Sequence, residues 1–268
     1  RPAALLLLEA VLEKGTPLDE ALTAVIGSLS PQDRSFSRQL VATTLRRLGQ
    51  IDALIDHCLD RALPERAGRI RSILRLGIAQ LLFLDTPPHA AVDTSVRLAS
   101  GDKHPRVRGL KGLVNAILRR LAREGADLIA QQDDAILNVP GWLWTRWSDT
   151  YGEDQARALT RIQLEDPPLD ITLKRAENGP EWAEKLGAES VISNSLRRPK
   201  SGRVETLPGF TDGVWWVQDA AAALPARLFG EINRKTVVDL CAAPGGKTAQ
   251  LADAGAKVIA IDRSKQRL

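Results

Sequence analysis

The sequence predicts a multidomain chain that changes class along its length. An all-α domain is expected over residues 1–127, a small connecting domain of helix and strand over 128–204, and the opening of an α/β sheet over 205–268. Three observations carry this. Apolar residues recur at helical spacing through the first 125 residues, with no strand-like alternation. From Pro167 onward, short β runs alternate with Gly and Pro punctuation. Near the end, an apolar run, a glycine turn, a helical pattern and a second apolar run follow one another, which is how an open α/β sheet begins.

Each element has its own signal. "AALLLLEAVLEKG" predicts a first helix with "ALLLL" on a buried face and Gly15 as C-cap. "PLDEALTAVIGSL" follows, with Leu18, Leu22, Val25, Ile26 and Leu29 at helical spacing. Ser30 as N-cap and Pro31 at the first helical position open "SPQDRSFSRQLVATTLRRLGQIDALIDHCL", whose stripe runs through Leu40, Val41, Leu45 and Leu48. "RIRSILRLGIAQLLFLD" turns Ile70, Ile73, Leu74, Gly77, Ile78, Leu81 and Leu82 inward and stops before "TPPHAAV". "GLKGLVNAILRRLAREG" closes the all-α region, with Leu113, Val114, Ile117, Leu118 and Leu121 inside.

Asn138-Val139-Pro140 then breaks the chain. Trp142, Trp144 and Trp147 crowd together just after it. Tryptophan is mostly buried on average, so burial between two domains is expected ahead of stacking on bases. "PLDITLKR" alternates as a strand does, "ESVISNSLRR" reads as polar and loose, and "GRVETLPGFTDGVWWVQD" mixes short β runs with turns. "AAAALPARLF" reads as helix, "TVVDL" as a buried strand, "TAQLADAG" as a helix ended by Gly255, and "KVIAID" as a second buried strand.

Composition narrows the class. Hydrophobic residues make up 44% and charged residues 26% of the 268, as in ordinary globular proteins. No apolar run approaches the roughly 20 residues that a membrane-spanning helix needs, and no signal peptide is visible. Two distant cysteines, Cys58 and Cys241, suggest no disulfide scaffold. A cytoplasmic protein acting as a monomer, away from membranes, is expected. His57, His89 and His104 are scattered without metal-ligand spacing, so no metal is expected. The net charge of +4 is uneven: residues 1–125 hold 19 Lys and Arg against 13 Asp and Glu, while the remainder carries a small acidic excess. An N-terminal basic excess is compatible with a nucleic-acid partner. No methionine occurs in the sequence, and local motifs therefore carry more weight than long spacings.

The most informative stretch is "DLCAAPGGKT", Asp239 to Thr248. "GGKT" matches the end of the phosphate loop G-x-x-x-x-G-K-[ST], but that motif requires glycine where Cys241 stands, and Pro244 removes an amide that could cradle phosphate. A dinucleotide fingerprint is absent because Gly245 and Gly246 are adjacent. What remains is a strand, a tight turn, a helix and an acid, Asp262, at the tip of the next strand, where a carboxylate would meet ribose hydroxyls. That arrangement suits a nucleoside bearing a cationic group, such as S-adenosylmethionine. A simple capped strand-to-helix turn is the alternative.

The whole decapeptide resembles the adenosylmethionine loop of the RNA 5-methylcytosine methyltransferases, the Sun/Fmu/NOL family. "WWVQDAAAALPARLF" resembles the family's segment ahead of the loop, and "AIDRSKQRL" its acidic strand end and following helix. "SPQDRSFSRQLVATTLRRLGQIDALI", "PPHAAVDTSVRLA" and "GLVNAILRRLAREG" resemble the NusB-like RNA-binding domain of the bacterial 16S rRNA member. The resemblance covers nearly the whole chain and is weakest over 170–205.

This resemblance implies a Rossmann-like, S-adenosylmethionine-dependent methyltransferase sheet, truncated after "KVIAID". It also implies Cys241, Ala242, Ala243, Pro244, Gly245, Gly246, Lys247 and Asp262 as cofactor-binding residues, with Asp239 shaping the loop from beneath. The family methylates C5 of cytosine through a cysteine that adds to C6. Its Pro-Cys and Thr-Cys contexts do not occur here, so the nucleophile is expected beyond Leu268 and Cys58 is expected to be a small buried hydrophobe. For the 16S rRNA partner, the NusB-like region offers Arg46, Arg47, Arg106, Arg108, Lys111, Arg119, Arg120 and Arg123 as phosphate contacts. The competing readings are a non-enzymatic NusB-like antitermination module and a methyltransferase for another rRNA or tRNA cytosine.

Overall fold

The computed structural model describes residues 1–25, 29–64, 67–199, 202–265 and 267. It forms two compact units, Arg1–Glu165 and Asp166–Leu268. The first contains α1 (Pro2–Lys14), α2 (Leu18–Val25), α3 (Pro31–Arg46), α4 (Leu48–His57), α5 (Gly68–Phe83), α6 (Pro88–Ser100), α7 (Pro105–Gly109) and α8 (Lys111–Ala130). After these come α9 (Asp134–Leu137), α10 (Gly141–Tyr151) and α11 (Glu153–Leu164).

The expected starts and stops at Gly15 and Ser30 are present, whereas the stretch read as one element after Ser30 divides at Arg47 into α3 and α4. Gly15 adopts the left-handed conformation, φ 66°, and its N–H returns to the Ala10 carbonyl. The Ser30 hydroxyl accepts from the Asp33 N–H at 3.1 Å, with Pro31 in the first turn. Ile26, expected on the stripe of α2, lies outside the described residues.

One apolar core joins these helices. Leu7, Leu8, Leu40, Ile51, Ile55, Ile73, Leu74, Ile78 and Leu118 are fully buried in it. α5 is buried over most of its circumference, as a helix apolar all round must be. Gly77 makes this possible: a Cβ there would lie 2.8 Å from both Leu118 Cδ1 and Ser95 Oγ, so α6 and α8 can approach α5 closely. Arg69 of α5 bonds Glu9 at 2.7 Å and also Asp102, tying α1 and the α6–α7 turn to the central helix.

Helices α9 to α11, expected in the connecting domain, belong to the first compact unit, and only residues 166–204 of that expected domain lie in the second. A polar clasp explains the attachment. The buried Gln50 donates its backbone N–H to Asn138 Oδ1 at 3.1 Å and receives Asn138 Nδ2 on Oε1 at 2.9 Å. Gln50 and Gln132 exchange two further bonds. At Gly49 the backbone of Leu137 comes so close that any Cβ would overlap the carbonyl. α10 packs chiefly on α11, with no fully buried residue. Trp142 is consequently 70% exposed, against the expected burial, while Trp144 and Trp147 are half-buried and Arg157 stacks over Trp144.

The second unit contains β1 (Leu169–Leu173), α12 (Gly179–Leu186), β2 (Glu189–Ile192), β3 (Ser195–Arg198), β4 (Trp215–Val217), α13 (Ala220–Arg227), β5 (Thr236–Leu240), α14 (Gly246–Asp253) and β6 (Lys257–Ile261). The first four strands form an antiparallel sheet in the order β2-β3-β1-β4. β1 was expected to alternate but is buried at every residue. Its apolar side meets α12, while Asp170 on the other side takes two bonds from Arg197 and one from the Ala220 N–H. The stretch read as loose is the β2–β3 hairpin; β2 is exposed throughout, so its sequence carries no alternation.

β5 and β6 pair in parallel, from Thr236 opposite Lys257 to Leu240 opposite Ile261, with α14 between them in sequence. Both were expected to be buried strands. One face packs Val237 with Ala226, Ile232 and Leu251, whereas Val238, Leu240, Ile259 and Ile261 on the other face are exposed. Among the described residues, helices cover this strand pair on one side only.

Candidate cofactor site

The decapeptide is the turn between β5 and α14. Strand β5 delivers the buried Asp239, and the chain leaves the strand at Cys241 with φ 63°, an uncommon conformation for a residue with a side chain. The Ala242 N–H donates to the Ile261 carbonyl at 3.0 Å and the Gly245 N–H to the Ala242 carbonyl at 2.7 Å. The Ala243–Pro244 peptide is cis. Gly245 has φ 103° with open space around it, so glycine is needed there for the dihedral and not for room. α14 begins at Gly246 with its free backbone N–H groups at the loop.

Two carboxylates brace the turn. Asp239, at the end of β5, accepts the Thr248 hydroxyl at 2.6 Å. Asp262, at the tip of β6, accepts the Ala243 N–H on Oδ2 at 2.9 Å and the Ser264 N–H on Oδ1 at 2.8 Å. These two backbone donors, Ser264 first, hold the Asp262 carboxyl below its ordinary pKa, with help from the charges of Arg267 and Arg263. Each carboxylate oxygen retains acceptor capacity beyond one bond.

The turn opens on a cavity of about 280 Å³, just under the roughly 300–1,000 Å³ usual for small-molecule pockets. Cys241, Ala242, Ala243, Pro244, Gly246 and Lys247 line it. Gly245 and Asp262 do not: Gly245 makes the turn, and Asp262 braces it from β6. Sequence reasoning assigned no role to Gln218 and Asp219, which line the cavity with Val217 and Ala222. Their signal was a polar pair placed directly before a helix, where Asp219 caps α13 through the Ala222 N–H at 2.9 Å.

The charges discriminate between ligands. Lys247 makes no hydrogen bond or ion pair with a described residue and is the one cation among the described residues of the lining, which also includes Asp219 and Asp239. Two carboxylates disfavour a polyphosphate. A zwitterionic ligand meets both signs: Lys247 and the α14 terminus suit a carboxylate, the acids an ammonium or sulfonium. The residues present fit S-adenosylmethionine. Among the described residues no group of three or more His, Cys, Asp or Glu could hold a metal ion.

Cys58 caps the end of α4, half-buried, and burial pushes its thiol up against the pull of Arg120. Cys241 is exposed in the turn. Of the cations in the helical unit, Arg47 bonds Gln50 and stacks on Phe83, and Arg108 bonds the carbonyls of Asp102 and Lys103. Arg119 bonds Asn115, and Arg120 bonds Glu124 and contacts His57. Arg46 also has a partner. Arg106, Lys111 and Arg123 are exposed and make no side-chain bond with a described residue. Among the described residues no helix is long and apolar enough to cross a membrane.

Comparison with known proteins bears on both units. Residues 1–123 match the model of the NusB family, and residues 228–268 match that of the 16S rRNA methyltransferase RsmB/F. The protein named Ribosomal RNA small subunit methyltransferase B of Escherichia coli (strain K12) is 31% identical over 272 residues, covering 97% of this chain and 62% of the relative. The protein of that name in Shigella boydii serotype 18 aligns with the same identity and coverage. The chain thus spans about 62% of the length of these curated relatives. Among solved structures, the crystal structure of PH0851 aligns with a TM-score of 0.64 at 21% identity, over 100% of this chain and 65% of that one, a likeness of fold.

Proposed function

We propose that this chain, which matches the NusB family model over residues 1–123 and the 16S rRNA methyltransferase RsmB/F model over residues 228–268, is a member of that methyltransferase family and serves S-adenosylmethionine-dependent methylation of C5 of a cytosine in 16S rRNA. The observation that carries the reading is the turn from Cys241 to Lys247, braced by Asp239 and Asp262 around a cavity of mixed charge. In this reading residues 205–268 open a Rossmann-like catalytic sheet and residues 1–127 bind RNA.

When bound, S-adenosylmethionine supplies a methyl group activated by its sulfonium. The chain's own residues hold it in place. Lys247 and the first N–H groups of α14 take the carboxylate of its amino-acid part, with Cys241 to Gly246 shaping the wall against it. Asp262, outside the cavity lining, keeps the turn in shape for the cofactor through the Ala243 and Ser264 N–H groups. The cysteine that attacks C6 of the cytosine is not assigned to residues 1–268; Cys58, with its raised pKa, is a poor thiolate. Arg106, Lys111 and Arg123 meet RNA phosphates, while base selection falls to the catalytic cleft, where the cytosine is presented unpaired or flipped. The protein acts as a monomer in the cytoplasm.

Full-length protein incubated with methyl-labelled S-adenosylmethionine and unmodified 16S rRNA tests this. Label recovered as 5-methylcytosine after digestion is the expected result, with none from residues 1–268 alone. Label on another nucleoside, or none from the full-length protein, would overturn it.

A further inference from the structure

The lining of the cavity contains a buried polar side chain to which the family resemblance assigns no role. Gln218 is 6% exposed. Its Oε1 accepts the Trp216 indole N–H at 2.8 Å, and its Nε2 donates to Gln250 Oε1 at 2.9 Å. Gln250 passes the bond on, its Nε2 donating to the Ala223 carbonyl at 3.0 Å. The indole can only donate and the carbonyl can only accept, so the two ends fix the orientation of both amides. The run Trp216, Gln218, Gln250, Ala223 therefore ties β4 to α14 and α14 to α13.

The same side chain touches the cofactor turn. A Cβ on Gly246 would lie 3.4 Å from Gln218 Cγ, so the glutamine stem sits directly against the first residue of α14. Gln250 stands one turn further along α14, clear of the cavity lining. Gln218 thus contacts α14 at two levels, by packing at Gly246 and by a hydrogen bond at Gln250. Backbone ties add to this, because the Gln218 N–H donates to the Asp170 carbonyl at 3.1 Å, anchoring the wall to the antiparallel sheet.

We infer that Gln218 is a positioning residue for the methyl donor, setting the start of α14, and with it Lys247, through the directed relay to Gln250. The inference rests on the proposed cofactor reading of this cavity. Gln218→Glu keeps the acceptor for Trp216 but cannot donate to Gln250. If Gln250 turned over to compensate, its carbonyl would face that of Ala223. Gln250→Ala removes the second link without altering the cavity wall.

The test measures the Kd for S-adenosylmethionine, the KM for donor and for RNA, and the melting temperature, in the full-length protein and in Gln218→Glu, Gln250→Ala and the double variant. Loss of a directed, largely buried hydrogen bond predicts that each single variant weakens donor binding by about tenfold. The double variant is expected to be no weaker than the worse single one, because both break one relay. The KM for RNA is expected to stay unchanged. A lowered melting temperature with unchanged donor affinity would show a merely structural role and overturn the inference, as would additive effects on donor affinity. Wild-type protein that takes up no S-adenosylmethionine would overturn the cofactor reading and this inference together; wild-type uptake with unaffected variants would overturn this inference alone.

Discussion

In the helical unit, Leu8, Leu40, Ile55 and Leu74 from four different helices are completely buried in one apolar core, and its ion pairs lie around that core. The mixed unit is built otherwise. Its apolar clusters are small, and between them runs a polar layer in which Asp170 holds Arg197 and Ala220, Gln218 holds Trp216 and Gln250, and Arg227 holds Asn194 and Ser195. The difference teaches where precision comes from. Apolar burial is strong and non-directional, enough to bring helices together. A cofactor turn needs atoms at set distances, and directed hydrogen bonds supply that.

The sharpest way to break this contrast is to trim one apolar side chain in the helical core and one on the exposed face of β5. Leu74→Ala in the helical unit is expected to cost about 2–5 kcal/mol in denaturant unfolding. Val238→Ala, at a position 51% exposed, is expected to change stability by no more than about 0.5 kcal/mol. Equal losses would contradict the division of labour.

A smaller effect follows from the polar layer. Asp170→Ala strands the Ala220 N–H and half-buried Arg197, and is expected to cost about 1–3 kcal/mol. The acid dependence has a definite sign. Hydrogen bonds from Arg197 first, then Ala220, hold the Asp170 carboxyl below its ordinary pKa against the effect of burial. Its folded pKa is thus depressed, so its contribution is present above the unfolded value near 4 and is lost as pH falls through the folded value. Asp170→Asn should flatten that acid limb. Glu9 in the helical unit has the opposite sign, because burial raises its carboxyl despite Arg69. Its contribution is present below the unfolded pKa and is lost as pH rises through the folded one. Unfolding curves of Glu9→Gln and Asp170→Asn across pH 3 to 6 should therefore diverge from wild type at opposite ends of the carboxylate range, about pH 4 being the pivot.

At the cofactor turn, Lys247→Ala and Asp262→Ala are each expected to weaken S-adenosylmethionine binding roughly tenfold to a hundredfold, with the melting temperature of the helical unit unmoved. An unchanged Kd would remove that residue from the site. The smallest effects are expected on the helical surface. Arg106→Ala, Lys111→Ala and Arg123→Ala should each lower RNA affinity modestly and reduce the slope of log affinity against log salt by about one. Arg119→Ala and Arg120→Ala, whose guanidinium groups already bond Asn115 and Glu124, should change it less.

Much of this was legible in the residues. Periodicity placed α1, α3, α5 and α8 and their buried faces, and Gly15, Ser30 and Pro31 marked their ends, because helix signals are local. "DLCAAPGGKT" located the turn, since a strand end, two glycines and a distal acid need no long-range information. What escaped depends on partners distant in sequence. The β2–β3 hairpin has one strand exposed at every residue and is defined by the pairing of β3 with β2 and β1. Trp142 was expected to be buried from residue type alone, yet α10 presents it outward. Gln50 and Asn138 are 88 residues apart in the clasp that joins α9 to α4. Gln218 lies 32 residues before Gln250 and reads locally as a polar residue ahead of a helix.

The central claim is that the turn after β5 holds S-adenosylmethionine rather than a nucleoside triphosphate. Calorimetric titration of the full-length protein with S-adenosylmethionine and, separately, with ATP and magnesium tests it most directly. The account predicts a saturable single-site isotherm with S-adenosylmethionine and no heat of binding with ATP. Binding of ATP with comparable affinity, or no binding of S-adenosylmethionine, would contradict it.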